Sequence, residues 1–227
     1  MTTTAERLDA LRERMALAAR RAGRDPGEVR LVAVAKTAAP EALREAWAAG
    51  QRRFAHNRVQ RLEEDRRILP EAEWHLIGPI QGNKIRRALR CADWIQTVGE
   101  ERTARRLQRI LEEGGRPPAP VLVQVNLHPE DGRYGCPPAH LPVLLETLRR
   151  ATPLLDPRGL MTLAPLGAPE AEVHRVFAGL RSLAREGAER GLLPARPELS
   201  MGMSEDFEIA VAEGATLVRV GRALFPG

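Results

Sequence analysis

The feature that most constrains this chain is an alternation in which short apolar runs and helix-like segments follow one another eight times. The runs fall at 31–37, 52–55, 74–78, 94–98, 121–126, 159–163, 198–202 and 216–221. Between them, segments 40–49, 57–69, 81–90, 100–113, 137–150, 169–187 and 205–212 carry apolar residues at helical spacing. Short apolar strands separated by helices predict a parallel sheet, because each crossover helix covers a face that would otherwise meet water. Eight such units allow closure into a (β/α)8 TIM barrel, and 227 residues sit at the lower end of that range. A further amphipathic helix is predicted at 4–22, with Leu8, Leu11, Met15 and Ala18 on one face and Gly23 near its end. An open doubly wound sheet binding a dinucleotide would want GxGxxG after the first strand, where this chain has Lys36-Thr37-Ala38-Ala39-Pro40. No linker or repeat divides the sequence, so one domain over 1–227 is expected.

The first strand, Leu31-Val32-Ala33-Val34-Ala35-Lys36-Thr37, closes on an amine. Lys36 and Lys84 are the only lysines among 35 Lys and Arg residues. Arginine serves every other positive position. A guanidinium stays protonated and forms no imine, whereas a desolvated lysine amine loses its proton and attacks a carbonyl. Lys36 is therefore read as a chemical residue, against the alternative of a cation reaching solvent from a strand end.

Composition removes several classes of function. Cys91 and Cys136 lack CxxC spacing, and His56, His75, His128, His140 and His174 are dispersed without HExxH, so no disulfide or metal site is expected. The start, 1–9, is polar and contains acids, and no window reaches a membrane-spanning apolar length, so a cytoplasmic protein without membrane association is expected. A net charge of +5 raises nucleic acid as a partner, but arginines alternate with glutamates on helical segments and aromatics make up only 4%. That is the pattern of solvated helix faces without a stacking platform, and no nucleic-acid partner is expected. Anionic small molecules remain suitable ligands.

In a barrel the C-terminal strand ends share one mouth. That geometry gathers Lys36, Asn57, His75, Asn126, Thr162, the loop 200–204 and the turn 219–222. Phosphate sites in such barrels use the loops after the seventh and eighth strands. Ser200-Met201-Gly202-Met203-Ser204 and Arg219-Val220-Gly221-Arg222 supply hydroxyls, glycines and a helix start there. Ser204 also suits the N-cap of the helix over 205–212. An imine-forming lysine opposite a phosphate cradle fits pyridoxal 5′-phosphate (PLP) or a Schiff-base aldolase acting on a phosphorylated sugar. Arg219 separates the two: a permanent charge beside a pyridine nitrogen disfavours ring protonation and weakens the ring as an electron sink.

Motifs along nearly the whole chain then resemble a known family. They are Val34-Ala35-Lys36-Thr37, Asn57-Arg58-Val59-Gln60, His75-Leu76-Ile77-Gly78-Pro79-Ile80-Gln81-Gly82-Asn83-Lys84, Gly159-Leu160-Met161-Thr162, Leu199-Ser200-Met201-Gly202-Met203-Ser204 and Val218-Arg219-Val220-Gly221. The chain resembles the pyridoxal phosphate homeostasis proteins, single-domain relatives of the alanine racemase N-terminal barrel. The resemblance implies PLP as an imine on Lys36, its phosphate held by Ser204 and the backbone of Gly221 and Arg222, and Arg219 at the pyridine nitrogen. Asn57, His75 and Ser200 are implied to line the pocket. Where the family usually has Gly-Glu before the asparagine and Tyr after it, this chain has Ala55-His56 and Arg58, which suggests an altered charge beside the cofactor. Lys84 follows the family pattern.

The resemblance also implies a role in intracellular vitamin B6 homeostasis and supply; PLP-dependent apoenzymes as recipients and a monomeric state are separate expectations. Racemases of this fold take a second base, a tyrosine, from a C-terminal β domain. The sequence ends at Gly227 just after the eighth strand, and the expectation is that such a domain is missing. The expected protein is then a binding protein and not an enzyme. The alternative is a low-activity amino-acid racemase with His75 or Tyr134 as an improvised second base.

Overall fold

A computed structural model describes residues 2–128, 132 and 134–226, so the expected domain over 1–227 runs beyond the described residues at six positions. Eight parallel strands, β1 (Arg30–Val34), β2 (Arg53–His56), β3 (Glu73–Leu76), β4 (Trp94–Val98), β5 (Ala119–Gln124), β6 (Leu155–Met161), β7 (Glu198–Ser200) and β8 (Leu217–Val220), close into a barrel in chain order. The expected TIM barrel is the observed fold.

The helices are α1 (Thr4–Arg21), α2 (Pro40–Ala48), α3 (Val59–Ile68), α4 (Ile85–Cys91), α5 (Glu101–Glu113), α6 (Leu141–Arg150), α7 (Glu170–Glu189) and α8 (Phe207–Ala212). Helices α2 to α8 follow β1 to β7, and no helix follows β8 among the described residues. The expected N-terminal helix takes that place, packing against both α8 and α2 beside the β1–β8 seam. Its start is set by a capping box, with Thr3 Oγ1 accepting from Glu6 N and Glu6 Oε2 from Thr3 N. Leu8, Leu11 and Met15 are buried on its inner face, each stabilising the fold by roughly 1.5–3 kcal/mol. Arg7 Nε of α1 donates to Leu224 O at 2.9 Å, and Arg24, just beyond α1, donates from Nη1 to Val211 O of α8 at 2.7 Å.

Alternation along the strands divides the interior in two. Ala33, Phe54, Trp74, Ile95, Val121 and Val123 face the helices in the larger core, while Val32, Val34, Ala55, Leu122, Met161 and Leu217 form a small apolar cluster inside the barrel. Ile77, Trp94 and Leu163 pack against that cluster, and buried polar side chains such as His75, Gln96, Ser200 and Arg219 share the interior with it. The N-terminal end of the barrel is closed by the first residues of four strands, in the ion pairs Arg30–Glu198 and Arg53–Glu73.

Several boundaries differ from the sequence expectation, each for a local reason. Strand β6 begins at Leu155 instead of 159, because a register shift between β5 and β6 accommodates Pro157, which has no N–H to give to the ladder. Strand β1 ends at Val34, and Lys36 stands in the turn beyond it. Helix α3 starts at Val59, leaving Asn57 and Arg58 in the preceding bend. The helices expected at 81–90 and 137–150 each open with a 3-10 turn, Gly82–Lys84 and Pro138–His140. Helix α8 starts at Phe207 with Asp206 at its N-cap, so Ser204 is released from the capping role proposed for it.

Gly159 marks the tightest approach in the sheet. A Cβ there would lie 2.0 Å from Glu198 O and 2.5 Å from Glu198 N on β7. Gly159→Ala must force β6 away from β7, and a loss of more than about 3 kcal/mol is expected, measured by chemical unfolding of the full chain. An unfolding free energy within about 1 kcal/mol of wild type would contradict this packing.

Candidate functional site

Parity along the strands aims the candidates at the barrel axis. Lys36 continues the inward series of Val32 and Val34, and Asn57 continues that of Ala55. Both are exposed at the mouth. The ends of β2 and β3 abut closely there, since a Cβ on Gly78 would lie 2.1 Å from Asn57 O. Only glycine fits at that point, which fixes the backbone carrying Asn57.

Two strands round the barrel from β1 lies the loop after β7. Gly202 adopts φ +89°, and a Cβ there would also meet Ala210 Cβ at 2.5 Å, so this turn depends on glycine. It brings Ser204 beside the turn after β8, with Ser204 Oγ accepting only a long 3.5 Å contact from Ala223 N. The amide hydrogens of Gly221 and Arg222 meet no acceptor among the described residues. Gly221 is buried, and a Cβ there would come within 3.2 Å of Val34 O. Uncommitted backbone N–H groups next to a hydroxyl form a cradle for an anion such as phosphate. A neighbouring cavity of about 270 Å³, lined by Ala164, Met203, Asp206, Ile209 and Arg222, opens beside it. On its rim Arg222 pairs with Glu205 at 2.6 Å, so its side chain faces away from any role in the cradle and only its backbone is available.

Arg219 lies below the mouth, inside the barrel, and is 2% exposed. Its Nη1 donates to Ser200 Oγ at 2.6 Å and its Nη2 to Thr162 O at 2.8 Å. Burial lowers its pKa to about 10, with the nearby Asp206 acting in the opposite direction, so it remains a cation at neutral pH. No carboxylate pairs with it directly among the described residues. Desolvation in turn raises the Asp206 carboxyl, against the Met203 N–H that donates to it and the charge of Arg219. A buried guanidinium with donors to spare is a site for an acceptor atom of a ligand, and a pyridine nitrogen is one.

The other expected pocket residues are placed differently. Ser200 is fully buried and committed, accepting from Arg219 and donating to Gln96 Oε1 at 2.6 Å. His75 is 1% exposed with both ring nitrogens engaged, Nδ1 with Gln96 Nε2 at 2.7 Å and Nε2 with Glu73 Oε1 at 2.8 Å. It stacks on Trp94 with ring centroids 5.5 Å apart. His56 points outward from β2, away from the mouth, where its Nε2 meets Asp65 Oδ2 at 2.7 Å and its ring stacks on Trp74. The altered charge expected beside the cofactor is therefore absorbed behind the sheet, because position 56 has outward parity. Tyr134 is tied to the corner between β4 and α5, its hydroxyl accepting from Gly99 N at 3.2 Å. Lys84 is half-buried at the end of the 3-10 turn after β3.

Gln96 and Glu73 were not singled out by sequence reasoning. The signal was two polar residues, Gln96 and Thr97, inside an apolar strand. A bulge in β4 obscured which of them faces inward: Ile95 and Val98 both lie in the outer core although they are three apart.

A closed (β/α)8 barrel with an exposed lysine after its first strand and uncommitted amides and a hydroxyl between its last two loops places the chain in the class of barrels whose candidate site suits an anionic ligand. The model of the family described as "Alanine racemase, N-terminal domain" matches residues 7–227. The chain is 42% identical to the pyridoxal phosphate homeostasis protein of Pseudomonas aeruginosa, over 99% of this chain and 96% of that protein. It is 40% identical to the protein of the same name from Escherichia coli, over 99% and 97%. PipY of Synechococcus elongatus, solved with PLP bound, superposes with a TM-score of 0.86 at 41% identity, covering 98% of this chain and all of PipY. The chain belongs to the pyridoxal phosphate homeostasis proteins, within the alanine racemase N-terminal-domain family.

Burial holds the His75 pKa below its ordinary 6.5, although the Glu73 carboxylate opposes this. The folded ring thus resists a proton that the unfolded chain accepts. Stability from this group is complete above the ordinary value and is lost as pH falls below it. The unfolding midpoint of the ligand-free chain is expected to drop between about pH 7.5 and about pH 5.5, and to drop less in His75→Gln. Equal drops in both proteins would place the sensitivity elsewhere.

Proposed function

We propose that this chain binds PLP at the barrel mouth through the Lys36 amine and serves in PLP homeostasis and supply instead of catalysing a reaction of its own. The observation that carries this reading is the set of unsatisfied groups around one mouth: an exposed lysine after β1, and a hydroxyl with two uncommitted amides in the loops after β7 and β8. Their chemistry fits the two ends of PLP, an aldehyde and a phosphate. When bound, the cofactor supplies a carbonyl that condenses with amines and a ring that stabilises negative charge.

In this reading Lys36 holds the aldehyde end, while Ser204 and the Gly221 and Arg222 amides hold the phosphate. Arg219 offers an N–H to the ring nitrogen, and its charge keeps that nitrogen unprotonated. Asn57 flanks the ring from β2. His75 and Ser200 act from beneath and do not line the site. The whole chain, 1–227, is read as one cofactor-binding barrel, cytoplasmic and monomeric, delivering PLP to apoenzymes and using neither nucleic acid nor a membrane. Among the described residues no helix is long and apolar enough to cross a membrane.

Two-base racemisation is the competing reading, and the positions of its improvised bases oppose it. His75 has no free ring nitrogen, and burial raises the pKa of the Tyr134 hydroxyl, which accepts from the Gly99 N–H just after β4. With a cation at the ring nitrogen, a carbanion would also be poorly stabilised.

Borohydride reduction after incubation with PLP, followed by peptide mass mapping, tests the site. A pyridoxyl adduct on Lys36 is expected, and an unmodified Lys36 would remove the cofactor assignment. Solvent deuterium exchange at the alanine α-carbon tests the absence of catalysis. Exchange at about 10 s⁻¹, abolished by Lys36→Ala, would make the protein an enzyme after all.

A further inference from the structure

A single line of hydrogen bonds runs through the barrel interior from the mouth to the N-terminal end. Arg219 Nη1 donates to Ser200 Oγ at 2.6 Å, Ser200 Oγ to Gln96 Oε1 at 2.6 Å, Gln96 Nε2 to His75 Nδ1 at 2.7 Å, and His75 Nε2 to Glu73 Oε1 at 2.8 Å. Four of the five side chains are buried, and the fifth, Glu73, stands at the first position of β3 beside Arg53.

The direction of every bond follows from the two ends. A guanidinium only donates, and a carboxylate only accepts. Glu73 therefore claims the proton on His75 Nε2 and leaves Nδ1 as an acceptor. That acceptor takes the amide N–H of Gln96 and turns the Gln96 carbonyl towards Ser200. The carbonyl draws the Ser200 hydroxyl hydrogen, which leaves the Ser200 oxygen lone pairs for Arg219. Reversing any member would set two donors or two acceptors face to face in a dry interior, a costly arrangement.

We propose that Gln96 is the positioning residue for the Arg219 guanidinium, acting through Ser200 and held in direction by His75 and Glu73. The proposal rests on the reading of Arg219 as the group that faces the cofactor ring. Gln96 suits the task because its amide presents a donor to His75 and an acceptor to Ser200 from two separate atoms. Alternation along β4 supplies the placement: Trp94 packs on the interior cluster, Ile95 faces the outer core and Gln96 turns back into the barrel. Thr162 O fixes the second guanidinium nitrogen, so the plane of Arg219 is defined at two points. Ser200, as a consequence, has no hydroxyl hydrogen to offer a ligand.

Nitrogen NMR of the full-length, ligand-free protein tests the line directly. The His75 ring is expected to be neutral with its proton on Nε2, and the Arg219 Nη–H signals to be resolved by hindered rotation. Gln96→Leu should erase the Arg219 signals and free the His75 tautomer. Glu73→Leu, at the opposite end of the barrel, should do the same, and it keeps the test available should Gln96→Leu fail to fold. Gln108→Leu makes the same change at a buried glutamine of α5 outside the line, and should leave both signatures intact. With PLP added, Gln96→Leu should weaken binding about tenfold and shift the visible absorption band. A His75 proton on Nδ1, or Arg219 signals that survive in Gln96→Leu, would overturn the proposal. Failure of the wild-type protein to take up PLP is a different result: it refutes the reading of the mouth, and the ligand-free spectra still decide whether Gln96 orients Arg219.

Discussion

A cation buried without a carboxylate in contact is the constraint on which the interior of this barrel depends. Transfer of an unpaired charge out of water costs several kcal/mol even after relaxation. The fold meets that cost by distributing it: Arg219 gives one bond to a backbone carbonyl and one to a serine that is itself part of a directed line ending at Glu73. Burial lowers the pKa of Arg219, with Asp206 opposing, so the desolvation is not fully offset. A ligand atom able to accept from the guanidinium would reduce that remainder, which links the stability of the barrel to occupation of its mouth.

The same logic explains why the barrel interior is only partly apolar. A small cluster around Val32, Ala55 and Met161 fills the space, and the polar line threads past it. The large core lies outside the sheet, where α1 completes the ring of helices at the β1–β8 seam. Packing energy is thus concentrated between sheet and helices, and the interior is left free to carry directed bonds. Glycines set the few places where the backbone must approach closely, at 78 beneath Asn57 and at 202 in the loop that presents Ser204.

Much of the candidate site was legible in the sequence. Lysine scarcity marked Lys36, and glycine-containing turns after the last two strands marked the anion cradle, because both signals are local in sequence. His75 and Ser200 were legible as inward residues of barrel strands but not as buried members of a line, since strand parity gives direction and not depth. His56 was misjudged for a related reason: its neighbour Asn57 faces the mouth, and adjacent strand residues face opposite ways. Gln96 escaped notice because a bulge breaks the alternation that would have exposed it.

The sequence by itself determined the barrel, its order of strands and the chemistry available at its mouth, because apolar periodicity and residue type are properties of short windows. The tertiary structure alone decided that α1 closes the helix ring, that Tyr134 is held at a corner away from Lys36's strand, and that five side chains from four strands join end to end. Those contacts connect residues up to 217 positions apart. Their hydrogen-bond directions exist only once a donor-only and an acceptor-only group are fixed at opposite ends of a closed interior.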